Sequence, residues 1–125
     1  MGKPARVRHD LGSKVVKAEH ENLRYFEVLN VVGSTEDKRR VWIRFWEKET
    51  GKSRGLCAIY NCRDAAIYGG HMQAKYKQRH YILPICGRHN SSVHNYKRGA
   101  EWAETKKDAV AVSIKPVSGK YAPAL

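Results

Sequence analysis

Three cysteines and one histidine constrain this chain more than any other feature. Cys57 and Cys62 stand with four residues between them, in Cys57-Ala58-Ile59-Tyr60-Asn61-Cys62. Cys86 and His89 follow at C-x-x-H spacing, in Cys86-Gly87-Arg88-His89, after an interval of 23 residues. Each pair suits one edge of a tetrahedral ion, and a hairpin across the interval would bring the edges together. Three sulfurs and one nitrogen make a closed structural Zn²⁺ site, and this one uses every cysteine in the chain. The alternative is three small buried hydrophobes, which the spacing disfavours. An odd number of cysteines, behind an N-terminus with no apolar signal stretch, argues against a disulfide framework. The expected compartment is therefore reducing and cytoplasmic.

A chain of this size needs such a centre. Its 125 residues allow one domain, at most one domain and a tail. A structural zinc can supply about 10 kcal/mol or more of folding free energy. Hydrophobic residues at 42% suffice for a small core and exclude a wholly disordered chain. No apolar run approaches the roughly 18 residues of a membrane span, so no membrane partner is expected. The formal net charge of +12 points to a polyanionic partner, most often nucleic acid. Seven basic side chains lie between residues 55 and 100: Arg63, Lys75, Lys77, Arg79, Arg88, Lys97 and Arg98. Asp64 is the one acid in that span, so half of the net charge shares a segment with all the cysteines.

Residues 1–20 read as a basic N-terminal arm, broken by Gly2, Pro4, Gly12 and Ser13. Residues 21–116 read as a single α+β domain with a zinc module at 57–98, and residues 117–125 as a loose tail. A strand is expected over 23–32. Ser34, with Asp37 three residues on, is the expected cap of a helix of about fourteen residues. Val41, Trp42, Phe45 and Trp46 form its apolar face, and residues 51–55 close it. Strands are expected over 65–74 and 81–85, joined by a basic connection. A helix is expected over 87–98, stopped by Gly99, and a last strand over 108–116, where Val110, Val112 and Ile114 alternate.

Two cysteines in a knuckle, a hairpin, then two ligands opening a helix is the order of a treble-clef zinc finger. Residues 57–98 resemble the zinc-bound HNH, or ββα-metal, endonucleases. The resemblance implies a small α+β domain with a treble-clef core. It also implies catalytic roles for three residues. His71, in Tyr68-Gly69-Gly70-His71-Met72, lies where the family keeps its general base. Asn90 and His94 lie where members place ligands for a catalytic Mg²⁺ or Mn²⁺. Such a base deprotonates a water in line with phosphorus, while the cation neutralises charge on the phosphate oxygens. The chain departs from the pattern at Gly70, where Asp or His is common, and at Tyr81, where Asn is common.

Aromatic and basic residues alternate in Lys75, Tyr76, Lys77, Arg79, His80 and Tyr81, as in a loop that tracks a phosphate backbone. Lys75, Lys77, Arg79, Arg88, Lys97 and Arg98 are the expected contacts to DNA or RNA. The leading expectation is a zinc-containing, HNH-like nucleic-acid-binding protein. Two others stand beside it. One is an active metal-dependent endonuclease with His71 as base. The other is a small phage-type inhibitor or interaction protein with a purely structural zinc and a protein partner.

Overall fold

The apolar runs on either side of the basic connection pair as an antiparallel hairpin at the centre of the molecule. In it, β3 (Tyr68–Ala74) places Tyr68 opposite Ile85 and Gln73 opposite His80 of β4 (His80–Ile85). The computed structural model describes residues 11–20, 26–31, 37–90, 102–118, 121 and 123. Four further strands extend the hairpin: β1 (Lys14–Lys17), β2 (Glu27–Asn30), β5 (Ala103–Glu104) and β6 (Val110–Ile114). The result is one six-stranded antiparallel sheet in the order β1-β6-β4-β3-β2-β5. One helix, α1 (Val41–Thr50), packs on it. The described residues therefore form a small α+β domain. No described helix is long and apolar enough to cross a membrane.

Both ends of the chain correct the sequence reading. The arm expected over 1–20 is part of the sheet from Lys14 onward, where β1 pairs with β6. Within the tail expected to be loose, Val117 and Tyr121 pack on the cluster around α1, and the Tyr121 ring lies 6.3 Å from that of Trp42.

The helix is shorter than expected and starts differently. It has ten residues, and its N-cap position is Arg40, which makes no side-chain cap bond. Residues 34–36 of the expected cap lie outside the described residues. Asp37 does the capping instead. Its carboxylate accepts the N–H groups of Trp42 at 2.8 Å and Ile43 at 3.1 Å, two of the donors a helix start leaves unpaired. It also accepts the Gly69 N–H of β3 at 2.7 Å, so one buried acid ties helix to sheet. Burial pushes its pKa up, and backbone N–H bonds from Gly69, Trp42, Ile43 and Val41 offset that only in part. The approach there is too close for any side chain. A Cβ at Gly69 would lie 2.5 Å from the Ile43 nitrogen and from the Trp42 carbonyl carbon. At the other end Gly51, at φ 69, closes the helix as expected.

Side chains alternate across the sheet. One parity carries Met72, Ala74, Tyr81, Leu83, Ile85 and Ala111 into a cluster with Cys57, Cys62 and Cys86. The other carries Ile82, Val112 and Ile114 against Trp42, Ile43, Phe45 and Trp46 of α1. The sheet thus has a cysteine face and a helix face.

Candidate metal centre

The knuckle is built by backbone bonds before any metal enters. Leu56 and Ala65 form a bridge, and the Cys57 N–H donates to the Asp64 carbonyl at 2.8 Å. Asn61, at φ 64, turns the chain so that the Cys62 N–H meets the Ile59 carbonyl at 3.1 Å. Asn is among the residues that tolerate this left-handed conformation. The knuckle is pinned to the sheet by the Ala58 N–H on the Pro84 carbonyl and the Tyr60 N–H on the Glu104 carbonyl, each at 2.8 Å. Cys86 directly follows β4 and brings His89 with it on a tight turn. That turn is closed by the Asn90 N–H on the Cys86 carbonyl at 3.0 Å.

These segments bring Cys57, Cys62, Cys86 and His89 together, with all four donor atoms within 4.8 Å of one another. The Cys62 and Cys86 sulfurs are 3.9 Å apart. The His89 Nδ1 lies 3.5 Å from the Cys57 sulfur and 3.3 Å from that of Cys86. A zinc tetrahedron with Zn–S of about 2.3 Å and Zn–N of about 2.0 Å has edges of about 3.8 Å between sulfurs and about 3.5 Å between sulfur and nitrogen. The donor set and its spacing are therefore compatible with a zinc ion. The three cysteines are buried and His89 is half-buried.

A cation would suit the electrostatics of this cluster. Burial, with Cys86 and Cys62 beside it, pushes the Cys57 thiol up to about 12. Three thiolates could not share this space unaided, whereas a bound dication reverses that balance. Arg88 adds a second positive group that the spacing alone did not reveal. Its Nη2 donates to the Cys62 sulfur at 3.7 Å and to Asp64 at 3.2 Å. Three thiolates on a dication leave one negative charge, and an outer guanidinium offsets it.

Of the expected catalytic set, His71 and Asn90 are among the described residues. His71 belongs to the parity that faces α1, where it stands opposite Ile82 and its ring lies 5.1 Å from that of Trp42. The metal ligands lie on the other face, so pleat alternation separates the two. His71 is 3% exposed, and its Nε2 is 2.9 Å from the His80 Nδ1. The Val117 N–H points at the same Nδ1 from 3.4 Å, which makes that nitrogen the acceptor and His71 the donor. The remaining nitrogen of His71, Nδ1, is buried without a hydrogen-bond partner. Burial, and then the nearby His80, lower the His71 pKa to about 4. A general base must reach water or substrate, and this ring reaches neither. Gly70 is filled in from the cysteine face, where a Cβ would lie 2.5 Å from Ile85 Cδ1 and from Met72 Cε. A carboxylate there would have to displace the ends of those two side chains. Asn90 is buried in the turn after the ligands, while His94 lies outside the described residues.

The hairpin cations are also committed. Lys75 pairs with Glu27 at 3.1 Å, and Arg88 with Asp64. Arg79 donates to the Ser113 hydroxyl and carbonyl and to the Gly12 carbonyl, which fastens the approach to β1 onto β6. Lys77 is half-buried at the hairpin turn, and Lys97 and Arg98 lie outside the described residues. Comparison with family models, with curated proteins and with solved structures gives no significant match.

Proposed function

We propose that the chain is a zinc-stabilised nucleic-acid-binding protein with a treble-clef centre, and that it binds rather than cuts. The observation that carries this reading is the Cys₃His cluster. Four protein donors complete a tetrahedron, which leaves no open position for a substrate or an attacking water. The metal therefore serves the fold. The functional signal that remains is the net charge of +12, which suits a polyanion. The buried His71 supports binding over phosphodiester cleavage.

The test has two arms. Elemental analysis of the reduced, purified protein should find about one zinc per chain. Affinity for a labelled nucleic acid should fall steeply with salt as displaced counterions are released. With added Mg²⁺ or Mn²⁺, plasmid nicking should stay at background. Nicking that disappears in His71→Ala would establish the nuclease instead. Salt-insensitive or absent binding, together with a stable protein partner, would establish the interaction protein.

A further inference from the structure

Lys75 and Arg79 of the hairpin already hold Glu27, Ser113 and Gly12, which makes them poorer phosphate contacts than lysines with no acid beside them. Two depressions of about 340 and 170 Å³ adjoin beside the C-terminal end of α1, sharing Lys52 and Val110 as a common wall. Lys17 and His20 line the first, and Arg54 and Lys106 line the second. Asp108 is the one acid along either. Glu47 neutralises Arg54 through two bonds, at 2.9 and 3.0 Å. Among the described residues Lys17, Lys52 and Lys106 have no acid within ion-pair distance. Between these cations lie two aliphatic side chains in contact with water, Val15 at 50% and Leu56 at 55% exposure.

The groove draws on segments far apart in the chain: β1 with the turn after it, the loop after α1, and the connection between β5 and β6. A solvated surface scatters its lysines among acids, whereas this one gathers them around an apolar floor.

We propose that this groove binds single-stranded nucleic acid, with Lys17, Lys52 and Lys106 on the phosphates and Val15 and Leu56 under the sugars and bases. The proposal rests on the nucleic-acid reading above and names its contact surface. A single strand fits better than a duplex because it exposes base faces that can lie on an apolar floor. A duplex keeps those faces stacked and presents mainly phosphate to a surface.

The experiment is fluorescence anisotropy with a labelled oligothymidylate of about 20 nucleotides, and with its duplex, across a salt series. The triple variant Lys17→Gln, Lys52→Gln, Lys106→Gln is compared with Lys38→Gln, Arg39→Gln, Arg44→Gln. The second set removes the same charge from exposed positions at the start and outer side of α1. The groove triple should weaken single-strand binding about tenfold or more. It should also flatten the salt slope by about 2, since each phosphate contact on a single strand contributes about 0.7. The control triple should change affinity about threefold or less. Equal losses from the two triples would overturn the groove while leaving the nucleic-acid reading intact. A wild-type preference for the duplex would overturn the single-strand assignment. No binding of either probe at low salt would overturn the nucleic-acid reading itself. Ultraviolet cross-linking of the unmodified protein provides an independent readout should the triple variant misfold. Adducts within residues 11–20 or 52–56 support the groove, and adducts confined to residues 75–79 overturn it.

Discussion

On the cysteine face of the sheet Phe26, Met72, Tyr81, Leu83 and Ile85 are buried in one cluster with the three thiols and with the small side chains of Ala58, Ala74 and Ala111. On the helix face Trp42, Phe45 and Trp46 fill the space against Ile82, Val112 and Ile114. Both faces bury large apolar side chains, and the first is set apart by the three thiols and one imidazole gathered at it. The helix face is closed by apolar packing and by the Asp37 carboxylate beneath α1. The cysteine face also holds four donor atoms in an arrangement compatible with a zinc ion. One sheet therefore backs an apolar core on one side and a core that adjoins a Cys₃His cluster on the other, and the strands β3 and β4 belong to both.

Removing the ion should produce the largest effect. Structural zinc contributes about 10 kcal/mol or more, comparable with the whole stability of a typical domain. Cys86→Ser, or a strong chelator, should abolish cooperative unfolding and broaden the amide spectrum of the entire sheet. A zinc-free protein that melts like the wild type would erase the distinction between the faces. Trp42→Ala tests the other side. It should cost about 3–5 kcal/mol in urea unfolding, yet retain about one zinc per chain. Loss of zinc from that variant while it remains folded would show that the faces are not separable.

A smaller effect concerns pH. A histidine held low in the folded state favours folding when neutral. Its contribution is complete above the ordinary histidine value of about 6.5 and is lost as pH falls toward the folded value. With His71 at about 4, acidification across that window should cost up to roughly 3 kcal/mol. His71→Gln keeps a donor for His80 and cannot ionise in this range. Acid also weakens the thiolate site, equally in both proteins, so the difference between wild type and variant isolates His71. Parallel pH profiles would show that the buried imidazole titrates without strain.

The Cys₃His cluster was legible in the sequence because spacing and count point to it: two short motifs, with no thiol left over. The central hairpin, the amphipathic stretch of α1 and the alternation in β6 were legible for a similar reason, since each depends on local period. The rest depends on long-range pairing. Lys14–Lys17 has no strand pattern of its own and becomes a strand only against β6. β5 has two residues, too few to show any period. Ser34 looked like the helix cap because capping rules are local, whereas Asp37 reaches the helix start from a left-handed turn at φ 54. The surroundings of His71 were less legible. Its expected role came from its place in a family resemblance, whereas a period of two decides which face a strand residue occupies. The alternation of Met72 and Ala74 with His71 carried that information, and the apolar stripe of α1 indicated that something had to cover the opposite face.

The strand order also sets a sequence of events in time. β6 lies between β1 and β4, so among the described strands the first has no sheet neighbour until the last has been made. The four metal ligands all precede β5 and β6. During synthesis the chain can close its ion site while its N-terminal strand still waits. Closing a short loop is faster than joining the two ends of a chain. Until Val110–Ile114 emerges, the edge of β4 and the whole of β1 remain unpaired backbone, the kind of surface on which nascent chains adhere to one another. An early-closing metal site shortens the list of structures that such a chain can adopt while it waits.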